Sequence, residues 1–263
     1  MIALARSSRI KALMQDGRLA SFLSRRFVAG GDAKDGVQTA QNLLNVKGIR
    51  SSLFYLGENV ACKIQALQAL KQSELDIHVS LDPTQIGHFI DPALARENAH
   101  LIAKEIAVTN DKPVSVHCVM FDMEDASLND PTIALHDSLK QQDYQVALTL
   151  QAYLHRTEQD MREQIQTGSK VRLVKGAFVA GPDISFTKQP EIKANYRKLI
   201  DLMLSVEARQ NGFYPIIATH DDVLHAYAIN VASLNVFARE VCARLVFDCH
   251  SADAQDTRVI AVW

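Results

Sequence analysis

The sequence predicts an α/β fold: a (β/α)8 TIM-like barrel, incomplete, with about six βα units present. Two observations predict it. From about Ile49 onward, apolar strand-like runs alternate with amphipathic helix-like runs, the order that gives parallel strands with helices outside. Three of the strand-like runs also end in polar clusters. Residues 116–121 run into Asp122-Met123-Glu124-Asp125, residues 171–174 into Lys175-Gly176-Ala177-Phe178, and residues 214–218 into Thr219-His220-Asp221-Asp222. A β/α barrel gathers its chemistry at the carboxyl ends of its strands, so three such ends suggest one reaction face.

The first residues, 1–5, are apolar but are broken at once by Arg6, Arg9 and Lys11, which suits an amphipathic helix rather than a signal peptide. Val37, Ala40, Leu43 and Leu44 keep helical spacing, and Gly48 provides a stop. Residues 49–56 read as the first strand and 77–81 as the second, ended by Pro83. A helix over 93–106 places Ala95, Ala99, Ile102 and Ile106 on one face. Residues 114–121, 144–150, 171–174 and 214–218 supply strands three to six. Between the last two, Ile192, Tyr196, Leu199, Met203 and Val206 recur every three or four residues as the buried stripe of a helix.

A closed barrel needs eight strands, and the pattern supports six. After Leu234 the texture changes: Val236, Phe237, Val241, Leu245 and Val246 suit a helix, and residues 251–263 read as an unpatterned tail with a short apolar end. An open six-stranded sheet would expose the edges of strands one and six. With no internal repeat and no low-complexity linker, a single domain over 1–263 is expected. Its parts are N-terminal helices to residue 47, barrel units over 48–234 and a divergent tail over 235–263.

Composition narrows the class. The chain has 263 residues, 48% of them hydrophobic, enough for one large core. A formal charge of −2 gives no electrostatic case for nucleic acid or an acidic membrane surface. Cys62, Cys118, Cys242 and Cys249 show no paired spacing and are expected as reduced thiols of an intracellular protein. No glycine-rich dinucleotide fingerprint follows a strand.

The clusters admit two chemistries. Asp122, Glu124 and Asp125 with His220, Asp221 and Asp222 could bind a divalent metal, as in a barrel hydrolase. Against this, Arg172 and Lys175 would enter the same mouth, repelling a cation and suiting an anion or a ring that becomes anionic on reduction. Gly176 would let such a ligand approach the backbone closely.

Several segments together resemble the proline dehydrogenase family. They are Arg25-Arg26-Phe27-Val28-Ala29-Gly30, Leu56-Gly57-Glu58, Asp122-Met123-Glu124-Asp125, Gln151-Ala152-Tyr153-Leu154, residues 172–178 and Ala218-Thr219-His220-Asp221, with Phe186-Thr187-Lys188 and Asn195-Tyr196-Arg197 between. They occur in that family's order over about residues 25–234. The resemblance implies a barrel that holds FAD noncovalently and oxidises L-proline to 1-pyrroline-5-carboxylate, in proline catabolism to glutamate. Hydride passes to the flavin and electrons pass onward to a membrane quinone. It also implies a cytoplasmic protein, peripheral at the inner face of the membrane, and a possible homo-oligomer. By position, Asp122 corresponds to the active-site aspartate, and Met123, Gln151, Arg172, Val174, Lys175, Gly176, Ala177, Thr219 and His220 to flavin contacts.

The resemblance departs from the family at two places. Asp82 stands where the family carries a lysine that helps hold the substrate carboxylate. After Leu234 the family's substrate-packing tyrosine and Arg-Arg carboxylate clamp are not found, which reads as a truncation or frame change. Charge-assisted bonds contribute roughly 1.5–3 kcal/mol each, so very weak proline turnover, or none, is expected. A non-catalytic flavin-binding remnant, or a partial barrel completed by a partner, stands as the alternative.

Overall fold

The computed structural model describes residues 33–47, 51–54, 75, 77–109, 117–234, 246–247 and 259–262. The Arg25–Gly30 and Leu56-Gly57-Glu58 segments and the helix expected over residues 236–245 lie outside these.

Helix α1 (Ala33–Lys47) precedes strand β1 (Ser52–Phe54) and β2 (His78–Leu81). A 3-10 turn at Thr84–Ile86 leads to α2 (Pro92–Thr109), then β3 (Cys118–Phe121), α3 (Asn129–Lys140), β4 (Val146–Gln151) and α4 (Thr157–Gln166). Strand β5 (Lys170–Val174), α5 (Gln189–Met203), α6 (Val206–Gln210), β6 (Tyr214–Ile217) and α7 (Asp222–Leu234) follow, with β7 (Val246–Phe247) and β8 (Val259–Val262) last.

All eight strands pair in parallel, in the order β6-β5-β4-β3-β2-β1-β8-β7. That is the neighbour order of an eight-stranded β/α barrel opened between β6 and β7. The six expected strands are all there. The tail differs from expectation: Val246 lies in a strand rather than a helix, and the apolar end forms β8 against β1. The run Val259-Ile260-Ala261-Val262 is mostly β-branched and finds on the β1 edge the pairing an isolated strand lacks. Among the described residues the edges of the sheet are therefore β6 and β7, not β1 and β6.

Side-chain alternation sorts the strands into two layers. Val119, Phe121, Val146, Leu148, Leu150, Val171, Leu173 and Ile217 face the helices and join the main core with Ala95, Ala99, Ile102 and Ile106 of α2 and Tyr196, Leu199 and Met203 of α5. Burial on both faces explains why the central strands read as continuous apolar runs. The opposite face carries Cys118, Met120, Ala147 and Ile216, with Tyr214 packed against them. One step further toward the carboxyl ends, that inner face turns polar at Asp122, Thr149, Gln151 and Arg172.

The helix expected to run through Val206 ends at Met203. Ser205 caps a new short helix, its hydroxyl accepting from the Ala208 amide at 3.1 Å, and Val206 is exposed. Within α5, Tyr196 is fully buried and its hydroxyl donates to the Leu173 carbonyl at 2.7 Å and reaches the Ala218 carbonyl at 3.1 Å. Asn195 donates to the Ala152 carbonyl at 2.8 Å. The helix thereby ties the ends of β4, β5 and β6 together, which gives the Asn195-Tyr196-Arg197 segment its structural purpose.

Candidate active site

Strand β5 carries Arg172 at its centre, with Val171 and Leu173 facing the helix layer and the guanidinium facing inward. It pairs in register with Thr149 of β4. Its Nη2 forms an ion pair with Asp122 Oδ1, just beyond β3. Thr149 Oγ1 donates to the same Asp122 oxygen at 3.0 Å and accepts from Arg172 Nε at 3.0 Å. All three residues are buried, and the three polar groups form a closed triangle. Burial pushes the Arg172 pKa down to about 10, with the charge of Asp82 among the influences that oppose the shift. Asp82 follows β2 directly and is half-buried.

Gln151 ends β4 next to this triangle. Its amide nitrogen donates to the Glu124 carbonyl at 3.4 Å, while its buried side-chain oxygen has no hydrogen-bond partner among the described residues. A buried acceptor left without a donor costs about 1–3 kcal/mol, so a ligand N–H placed there would be stabilising. Glu124 itself is engaged by Thr84, whose amide donates at 2.9 Å and hydroxyl at 2.7 Å, fixing the loop after β2. Asp125 caps the following turn through the Ser127 amide at 3.0 Å. Met123 is buried in the main core.

A second group gathers beyond β5 and β6. Asp221 Oδ2 pairs with Lys175 at 3.0 Å and with Lys193 of α5 at 2.6 Å. Asp221 Oδ1 accepts the Val223 amide at 3.2 Å, and its own amide donates to Thr219 Oγ1 at 3.1 Å. Thr219 is buried, Val174 and Lys175 are half-buried, and Ala177 and His220 are exposed.

The Lys193 hydrogen bond, aided by Lys175, holds the Asp221 carboxyl far below its ordinary 3.8. A depressed folded-state pKa makes this contribution complete above the ordinary value and lost as pH falls through the folded one. Asp221→Asn should therefore flatten the fall in melting temperature between about pH 5 and pH 2. Thermal denaturation across that range checks it, and an unchanged acid limb would contradict the pairing.

Arg172 and Lys175 each pair with a carboxylate, and Lys193, on the polar face of α5, joins them. The same pairs oppose the metal reading, because Asp122 and Asp221 are occupied by cations. Among the described residues no group of three His, Cys, Asp or Glu side chains could hold an ion. Glycine at 176 also has a structural reason. Its φ is +98°, and the space a Cβ would take is filled by the Tyr153 ring. Tyr153 is held there because its amide donates to the Lys175 carbonyl at 3.0 Å and its carbonyl accepts the Phe186 amide at 2.8 Å.

Thr149 and Lys193 are the functional candidates missed in the sequence. Thr149 had a signal: it lies two residues before Gln151 and so shares its face. Lys193 had none, since one lysine on a polar helix face resembles any other.

The family model described as proline dehydrogenase matches residues 37–247. Proline dehydrogenase 1 of Bacillus subtilis (strain 168) is 31% identical over 215 residues, 78% of this chain and 67% of that protein. Proline dehydrogenase 2 of the same strain is 30% identical over 227 residues, 82% of this chain and 70% of that one. Among solved structures, proline utilization A (PutA) from Corynebacterium freiburgense superposes with a TM-score of 0.71 at 21% identity, covering 92% of this chain and 28% of that chain. That likeness supports the incomplete barrel as the fold. The chain thus spans about two thirds of the Bacillus proteins' length and under a third of the PutA chain.

Proposed function

The chain belongs to the proline dehydrogenase family, and on that premise we propose that it binds FAD at the carboxyl ends of β3 to β6 and oxidises L-proline to 1-pyrroline-5-carboxylate. A membrane quinone is the proposed onward acceptor, which fits a cytoplasmic protein peripheral at the membrane's inner face. No described helix is long and apolar enough to cross a membrane. The observation that carries the reading is the unpartnered Gln151 oxygen beside the Asp122–Thr149–Arg172 triangle, a buried acceptor poised for an imide N–H of the sort an isoalloxazine ring carries.

The residues present fit the cofactor. Gln151 would accept from the ring, Arg172 would lie against its polar edge, and Lys175 with Thr219 and His220 would border the outer part. FAD, when bound, supplies the hydride acceptor. The chain supplies placement and electrostatics: Arg172 favours negative charge building on a ligand, and its pairing with Asp122 keeps the buried guanidinium from standing uncompensated. Asp122 Oδ2 makes no hydrogen bond among the described residues, so that oxygen would be available to a substrate amine.

Asp82 favours a second reading, in which flavin binds but proline turns over weakly. Its negative charge reaches Arg172 and opposes the approach of a substrate carboxylate. One experiment separates the two. The purified chain is loaded with FAD and its visible spectrum followed under anaerobic conditions as proline is added. Bleaching of the flavin bands supports proline oxidation, a stable yellow protein supports the binding-only reading, and failure to retain FAD overturns both.

A further inference from the structure

We propose that Thr149 is the positioning residue of this site, its hydroxyl locking the Arg172 guanidinium and the Asp122 carboxylate into the one arrangement that receives the ligand. The inference rests on the flavin reading above for what the ligand is, but not for the arrangement itself.

The hydroxyl has one proton and accepts through its lone pairs. It spends the proton on Asp122 Oδ1 at 3.0 Å and accepts Arg172 Nε–H at 3.0 Å. Arg172 Nη2 closes the triangle on the same Asp122 oxygen. Nε–H and an Nη2–H, side by side on one edge of the guanidinium, are thereby fixed, which sets the plane of the whole fork. The carboxylate is fixed likewise, with Oδ1 receiving two donors and Oδ2 receiving none among the described residues. Thr149 can do this because it is the register partner of Arg172 across β4 and β5. Its β-branched side chain also suits a strand and has few rotamers, so the hydroxyl is held in place before any ligand arrives.

Without that hydroxyl, Arg172 Nε–H would sit in a buried site with no acceptor. The guanidinium would turn to recover one, and a smaller fraction of molecules would present the receiving arrangement. Apparent ligand affinity falls by that fraction.

The test compares wild type with Thr149→Val, which keeps the shape and removes the hydroxyl, and Thr149→Ser, which keeps the hydroxyl. Two readouts are taken on the full chain. The first is solvent exchange of the Arg172 Nε–H in nitrogen-edited NMR, assigned by its loss in Arg172→Lys. The second is the FAD dissociation constant from fluorescence titration. Wild type and Thr149→Ser should show a slowly exchanging Nε–H and similar FAD affinity. Thr149→Val should exchange at least about tenfold faster and bind FAD about tenfold more weakly. If Thr149→Val fails to fold, Thr149→Ala takes its place with the same expectations. Nε–H protection that survives loss of the hydroxyl, or is lost in Thr149→Ser, overturns the proposal. If wild type takes up no FAD, the flavin reading fails while the exchange comparison still decides the role of Thr149.

Discussion

Asp122→Ala should lower the melting temperature by about 6–20 °C, the shift expected in a chain of this size for the roughly 3–5 kcal/mol lost when one partner of a buried ion pair is removed. The substitution leaves the Arg172 guanidinium enclosed, with Thr149 as its remaining bonded partner, and deprives the Thr149 hydroxyl of its acceptor. The cost arises mainly from the charge left behind, not from the bond lost. The double variant Asp122→Ala, Arg172→Met should therefore recover most of the loss, since replacing both charges by apolar groups is often neutral. Thermal and urea denaturation of the single and double variants check it. A single variant within about 1 kcal/mol of wild type would show that the two charges do not face each other in solution.

Gly176→Ala is the second large effect. At φ +98° a Cβ is strained, at about 1–3 kcal/mol, and here it would also enter the space of the Tyr153 ring. Tyr153 cannot easily withdraw: it is buried against Leu154 and Ile192, and its backbone is bonded to Lys175 and Phe186. Displacing the ring adds about 1–3 kcal/mol, so the total loss is about 2–6 kcal/mol. On a Tyr153→Ala background the same Gly176→Ala should cost only the backbone share. That difference, read from a double-mutant cycle, isolates the contact. A cost that does not change with the background would place the whole effect in the backbone.

Much of this architecture was legible in the sequence. The six strands could be read because parallel strands buried on both faces are apolar throughout, and the faces of α2 and α5 because Ala95, Ala99, Ile102, Tyr196 and Met203 keep helical spacing. The break before Val206 could not, because its stripe continues across a helix end set by the Ser205 cap. β8 was missed because four apolar residues at a chain end become a strand only when a sheet edge is offered, and that edge, β1, is about two hundred residues away. In the site, the residue types were evident and their partners were not. Nothing in the spacing tells that Arg172 meets Asp122 or that Lys175 and Lys193 share Asp221, because those meetings depend on strand register and helix placement. The contact between Gly176 and Tyr153 was equally hidden, because the two meet only once β4 and β5 are paired.

The most direct test of the flavin site is a titration of the purified chain with FAD, followed by quenching of flavin fluorescence and by melting temperature. A site built from Gln151, Arg172 and Lys175 predicts saturation at one FAD per chain, a higher melting temperature, and weaker binding in Gln151→Leu, which removes the unpartnered oxygen. Flavin emission unchanged by the protein, together with an unmoved melting temperature at saturating FAD, would contradict it.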